Sequence, residues 1–394
     1  MRALLIVIAC CGPAARAPAA GAPAPRPVRV PPALRELGRR HEVRLVYFVP
    51  ADRKPTRAWR EKITVVMTFV SDLYRTSLTD AGHRCEGLDF EFAADGKPKV
   101  HLVRGRGKAS DYNGAPSYSF TKQWRTVLPE VTSALGPADR HLYVIIAETY
   151  DPGPNRYEWP GGVALGGRVG AVGGVGLFSA WMLQDMFCAT TVADQMKLLA
   201  DATPIAGRRA LGAGRPDSPR FEFIEDGFGA VAHELGHAVG LWHDHRVDGL
   251  YIMGNGFRAL GRNYFRKLPP SGRVRFSREN TAMLAHTRLL GDHVDPNDGA
   301  APTIRLSYPK SVAPGTKALR ISAEITDDVR LGASVFFCSS GDSVVWGKTH
   351  EGRTDKVAFT AAIRPARRGA IRIYFGTIDR GGNFARVDGT VAVR

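Results

Sequence analysis

His-Glu-Leu-Gly-His-Ala-Val-Gly-Leu-Trp-His-Asp runs from His233 to Asp244, and Tyr-Ile-Met-Gly follows at 251–254. His233 and His237 stand four apart, so a helix puts both on one face, one turn from each other. Two imidazoles in that relation suit one Zn²⁺. Glu234 points along a different vector and is left beside the metal, able to take a proton from a metal-bound water. Gly240 can adopt the left-handed conformation that ends a helix. The chain then turns back and offers His243 as a third ligand. Three protein ligands leave a fourth position for water, which marks a catalytic rather than a closed structural site. Zinc in such a site lowers the pKa of its water and polarises a carbonyl. A core helix gains nothing from a His-Glu-His face, and a purely structural zinc site has no need of Glu234.

The string His-Glu-x-x-His-x-x-Gly-x-x-His, followed by Met253, resembles the metzincin metalloproteases. Asp244 after the third histidine and the Ile252-Met253 pair are most similar to the adamalysin (reprolysin) branch. The short gap from histidine to methionine is also similar to the matrixins. The resemblance implies a zinc-dependent endopeptidase acting on protein or peptide. In it Met253 packs beneath the metal without binding it, and Asp244 supports the structure near that turn. It implies an α+β catalytic domain over residues 40–291, a twisted sheet with helices, although the sharp motif is confined to 233–253. It also implies an exposed edge strand above the zinc helix that pairs with substrate. Val169–Phe178 is the candidate for that strand, with Val169, Gly170, Ala171, Val172 and Gly173 as substrate contacts whose glycines would admit a peptide backbone. A flexible surface loop is the rival reading of this Gly-rich stretch; a phosphate loop would need a following Lys-Ser/Thr. The sequence departs from the pattern at Asn255, where some branches carry a tyrosine near the zinc. No cysteine-bearing inhibitory segment of the matrixin kind is present.

The chain has 394 residues, enough for two domains, and is 44% hydrophobic. Its net charge is +16, with arginine spread along the whole length. No nucleic-acid motif accompanies that charge, so it reads as background composition and no nucleic-acid partner is expected. Cys10 and Cys11 fall in the first residues, leaving Cys85, Cys188 and Cys338 and room for one disulfide, with Cys85–Cys188 as a possibility. Residues 1–11 resemble a secretory leader, and Val7-Ile8-Ala9-Cys10 is similar to a bacterial lipoprotein box. Export is therefore expected, with membrane attachment only through a lipid at Cys10. Residues 12–39 form an Ala/Pro-rich tether.

Val43–Val49 and His141–Ala147 read as buried strands. Ile63, Val66, Met67, Val70, Leu73 and Tyr74 give one helical face between Pro55 and Ser77. Leu88–Phe92 and Lys99–Val103 flank Asp95-Gly96 as a hairpin. Helices are expected over Phe120–Ala134, Thr190–Ala200 and Arg275–Leu290, the last capped by Ser277. Asp226 is placed as the cap of the zinc helix. Residues 292–301 read as a linker; Asp292 to Gly299 offers oxygens to Ca²⁺ but lacks EF-hand spacing. Segments at 303–307, 318–326, 333–338, 356–364 and 370–378 are short strands between turns. They predict an all-β sandwich over 302–394, similar to immunoglobulin- or fibronectin-type modules. The main reading is thus an exported zinc endopeptidase with one catalytic ion. The competing readings are an adhesion or binding protein with a structural or inactive zinc site, and a zinc hydrolase acting on a non-peptide amide.

Overall fold

The computed structural model describes residues 24–26, 42–152, 159–207, 217–290, 294–295 and 297–394. The expected leader with Cys10, and the 12–39 tether apart from 24–26, lie outside the described residues. Strand β1 (Val43–Val49) alternates as a strand buried on both faces must. Val43, Leu45, Tyr47 and Val49 enter one apolar layer, while Val46 and Phe48 enter the other. Strands β2 (Val100–Arg104), β3 (Leu142–Ala147), β4 (Ala164–Val169) and β5 (Gly173–Ser179) complete a sheet of order β2-β1-β3-β5-β4. All neighbours are parallel except β4, which runs antiparallel to β5 at the edge.

Helix α1 (Trp59–Asp80) buries the predicted face of Ile63, Val66, Met67, Val70, Leu73 and Tyr74 on one side of this sheet. The short α2 (Ala109–Asn113) is followed by α3 (Phe120–Leu135), which covers the opposite side with Val127 and Val131 and is capped by the Ser119 hydroxyl. Helices α4 (Val192–Ala200) and α5 (Arg220–Ala238) lie on the α1 side. Later come α6 (Gly261–Phe265) and α7 (Arg278–Leu284). Ser277 caps α7 as expected, but the helix is shorter than the predicted 275–290 because the chain turns to bury Leu289 and Leu290. The Asp95-Gly96 turn closes a short hairpin, with Lys99 N–H donating to Glu91 O and Phe92 opposite Pro98, and its second arm runs on as β2, parallel to β1.

Residues from Thr303 onward form two facing sheets. One holds β6 (Thr303–Ser307), β8 (Ala318–Thr326) and β11 (Thr354–Ala362) in the order β11-β8-β6. The other holds β7 (Ser311–Val312), β9 (Leu331–Cys338), β10 (Ser343–Thr349), β12 (Gly369–Asp379) and β13 (Phe384–Val393) in the order β10-β9-β12-β13-β7. Strand β8 alternates strictly, sending Leu319, Ile321, Ala323 and Ile325 into the sandwich core. Strand β9 is buried throughout because both its faces are covered. Phe336 and Cys338 fill the sandwich, whereas Ala333 and Val335, with Val344 and Ile378, join the core of the helical half. The five-stranded sheet is therefore a middle layer shared by two cores. Cys188 is a free thiol, so the Cys85–Cys188 bridge is not formed.

Candidate metal centre

Helix α5 begins two turns earlier than its apolar pattern suggests, with Phe221, Phe223 and Ile224 already buried. Asp226 is consequently not its cap: it lies inside the helix, fully buried, 2.7 Å from the Arg258 guanidinium. The last turn of α5 carries His233 and His237. Gly240, at φ +95°, reverses the chain where a side-chain-bearing residue would be strained. His243 then folds back. Ring centroids lie 4.9 Å apart for His233 and His237, 5.2 Å for His233 and His243, and 4.7 Å for His237 and His243. One ring nitrogen of each lies within 4.8 Å of the others.

The three rings are held by their Nδ1 atoms. His233 Nδ1 donates to the Ile252 carbonyl at 2.7 Å, and His237 Nδ1 to the Leu241 carbonyl at 2.9 Å. His243 Nδ1 donates to Asp342 Oδ2 at 3.0 Å. A carbonyl oxygen can only accept, so the first two rings are fixed as Nδ1–H tautomers. A proton donated to the Asp342 carboxylate gives the third the same form. Each ring thus keeps an Nε2 lone pair for a cation, which is the orientation that outer partners impose on metal-binding imidazoles. Burial depresses the basicity of His233 strongly and, with His243 nearby, that of His237 to about 4, so both are neutral near pH 7. A tris-imidazole donor set fits Zn²⁺.

Met253 is fully buried against α5, where a Cβ on Gly236 would overlap its sulfur. The turn around it is tied to the third histidine by Asp244 N–H, which donates to the Met253 carbonyl at 2.8 Å. The Asp244 carboxylate turns away from the rings and accepts from Arg246 at 2.7 and 2.8 Å, and Arg246 also grips Glu279 of α7. Asn255, at the position where some metzincins carry tyrosine, points its amide to Asp248.

Glu234, next to His233 in α5, is partly exposed. Burial lifts its carboxyl to about 7, opposed by a hydrogen bond from the Gly166 N–H. That contact places edge strand β4 directly over the helix. The predicted strand Val169–Phe178 is in fact two strands and a turn. Val169 ends β4, Gly170 turns at φ +68° with Ala171 and Val172 following, and Gly173 opens β5, which is interior. The exposed edge is Ala164–Val169. The glycines have a further explanation. A Cβ on Gly166 would overlap the Glu234 carbonyl oxygen, and one on Gly174 would overlap that of Ala238. Their close approach is to this chain's own helix, not to an incoming backbone.

Asp342 escaped the sequence reading. It lies in the turn between β9 and β10, far from His243 in the chain, and Ser-Ser-Gly-Asp there reads only as a turn. Around it the sandwich grips the loop that carries His243: Val344 N–H donates to the His243 carbonyl at 2.9 Å, and His245 N–H to Ser343 Oγ at 2.9 Å. Trp242 stacks on Tyr374 at 5.7 Å. The β4–β5 turn is held as well, since Phe384 N–H donates to Ala171 O and Arg168 covers the Phe384 ring.

No protein-family model matches this sequence, and no curated protein matches it. In fold, the chain is similar to OgpA from Akkermansia muciniphila. A catalytically inactive OgpA in complex with an O-glycopeptide (glycodrosocin) substrate superposes with a TM-score of 0.60 at 16% identity, covering 93% of this chain and 98% of that one. Wild-type OgpA superposes with a TM-score of 0.60 at 16% identity, covering 92% and 98%. At that identity the likeness establishes a common fold running through both halves of the chain.

Proposed function

We propose that this chain is a zinc-dependent endopeptidase of the metzincin type, with a catalytic part over 40–291 and an immunoglobulin-like sandwich over 302–394. The observation that carries the reading is the convergence of three Nδ1-anchored imidazoles, His233, His237 and His243, beside the carboxylate of Glu234. Bound there, zinc would supply Lewis acidity to a water and to a substrate carbonyl oxygen. Glu234 takes the proton of the attacking water as the oxygen adds to the carbonyl carbon. It returns that proton to the amine as the C–N bond breaks. Its raised carboxyl suits both halves of that exchange. Met253 supports the ring group from below, and Asp244 keeps the third-ligand loop against the Met253 turn.

Strand β4 offers the edge along which an extended substrate would pair, with the Gly166 end over Glu234. The substrate stretch first placed at Val169–Gly173 therefore moves to Ala164–Val169. Because a neighbouring fold is seen with an O-glycopeptide substrate, glycopeptides are the first substrate class to offer. Among the described residues no helix is long and apolar enough to cross a membrane, which is compatible with an exported protein.

The test is hydrolysis of quenched fluorescent peptides and of O-glycosylated peptides by the full chain and by Glu234→Gln, with zinc content measured in each. The expected outcome is one zinc in both proteins and a loss of about a hundredfold to ten-thousandfold in kcat for the variant. One bound zinc with no cleavage by wild type would favour the binding-protein reading. No bound zinc would overturn the assignment of the three histidines.

A further inference from the structure

A second group of possible ligands lies away from the histidines, where the connector between the two halves meets the sandwich. One carboxylate oxygen each from Asp298, Asp327 and Asp328 lies within 4.8 Å of the others. Asp298 belongs to the connector, and Asp327 and Asp328 to the turn between β8 and β9. Asp298 is 2% exposed. Its Oδ1 accepts from Ala300 N–H and from the Asn383 amide, both at 3.3 Å, while its Oδ2 is buried without a hydrogen-bond partner among the described residues. Asp327 repeats the pattern: Oδ1 accepts from Val329 and Arg330 N–H, and Oδ2 is buried and unpartnered. Buried carboxylate oxygens without donors are costly, more so beside each other.

The surroundings add to that imbalance. Asp379, at the end of β12, is fully buried, and its two oxygens are occupied by Asn383 N–H and the Asn383 amide at 2.8 and 2.9 Å. Burial lifts the Asp379 carboxyl to about 7, with Asp298 and Asp327 adding to the effect. Burial also raises Asp298, with Asp327 as the next cause. Arg288 approaches from the helical half and offsets part of this charge, since Asp379, Asp298 and Asp295 act on it; its hydrogen bonds go to the main-chain oxygens of Gly381 and Asp298 and to Asn383 Oδ1 at 3.3 Å. This concentration of acid stands in a chain whose net charge is +16.

We propose that Asp298, Asp327 and Asp328 bind a calcium ion that clamps the sandwich to the connector. The donors are all hard oxygens, which suit Ca²⁺ or Mg²⁺ and not a second zinc. Oxygens about a calcium at roughly 2.3–2.6 Å stand at most about 5 Å apart, in keeping with the observed spread. Octahedral Mg²⁺ needs a tighter set. The exposed Asp328 leaves one side open to water, which completes a flexible calcium shell more readily than a magnesium one. The ion would bridge chain segments that otherwise repel, and so hold in register the layer whose far turn carries Asp342. The proposal is independent of the zinc chemistry.

The test is radiocalcium equilibrium dialysis and thermal unfolding of the full chain, stripped of divalent ions and reloaded with one zinc. We expect one calcium per chain, weak competition by magnesium, and a rise in Tm of about 5 °C at a hundred times Kd. Asp298→Asn and Asp327→Asn should abolish the binding while zinc content is unchanged. Asp328→Asn, at an exposed position, should weaken it at least about tenfold. Absence of calcium binding by folded wild type at about 10 mM, beyond the range of weak extracellular modules, would overturn the proposal. So would binding by Asp328→Asn and Asp298→Asn equal to that of wild type. Should the buried variants fail to fold, Asp328→Asn decides alone.

Discussion

The imidazoles of His233, His237 and His243 come from one helix end and its return turn, whereas Asp298, Asp327 and Asp328 come from a connector and a distant strand turn. The first group is set by helical periodicity and one glycine, so its ligands are local. The second exists only when the sandwich has docked. Yet the local group is not self-sufficient. Its third ring is held by Asp342, and the neighbouring Glu234 lies under the backbone of β4. A local motif states which side chains do chemistry, and long-range packing states where they stand.

The largest expected effect tests that dependence where the backbone of β4 meets α5. Gly166→Ala places a methyl group where the Glu234 carbonyl oxygen already sits. Neither partner is a flexible side-chain end, so strand and helix must separate. We expect a loss of about 3 kcal/mol or more in urea unfolding, at the upper end of overpacking costs. Gly174→Ala, against Ala238, should behave alike. Near-neutral outcomes for both would show that the sheet and helix are not in backbone contact. In that case the glycines would again be explained best as room for substrate.

Asp342 gives the next effect. Its backbone sits at φ +47°, which glycine accepts freely and asparagine tolerates. Asp342→Gly therefore removes the carboxylate with little backbone penalty. Competition with a chromophoric chelator should show zinc bound about tenfold more weakly. That is the low end for partners of metal-binding histidines, because the side chains of His243 and Asp342 are 37% and 53% exposed. Asp342→Asn keeps an acceptor oxygen for Nδ1–H and should recover part of the loss. Zinc affinity unchanged in Asp342→Gly would mean that the helical half sets the third ligand unaided.

The same divide decides what the sequence disclosed. His233, His237, His243, Glu234, Gly240 and Met253 stood out as a group because one short stretch contains them. Strands β1 and β3 and helices α1 and α3 were readable because each has a clear apolar period, and β6 and β8 emerged at their true limits. Strand β13 was not identified, since Arg386, Asp388 and Gly389 interrupt its alternation and its pairing with β12 supplies what its side chains do not. Asp226 looked like a cap because acids favour helix starts. Only the tertiary fold reveals Arg258 opposite it, deep inside a helix. The edge strand was displaced because glycines read alike whether they admit a substrate or a helix. Asp342 had no signal at all, since its meaning depends on a ring far from it in the chain.

The smallest effect belongs to a feature that was wholly local. Ser277 caps α7 through a 3.4 Å hydrogen bond from Asn280 N–H to its hydroxyl, and the side chain is buried. Ser277→Ala should cost about 1 kcal/mol in urea unfolding. Helix α7 also carries Glu279, which holds Arg246 and through it Asp244, so the cap lies two contacts from the third ligand. Asp244 is tied independently to the Met253 carbonyl by its own N–H, and His243 by the Val344 N–H. Zinc affinity should therefore be unchanged in Ser277→Ala while stability falls. A loss of zinc binding as large as that of Asp342→Gly would show that the return loop is positioned by α7, not by the sandwich turn. The separation between local and long-range control would then fail at the point where it is drawn most sharply.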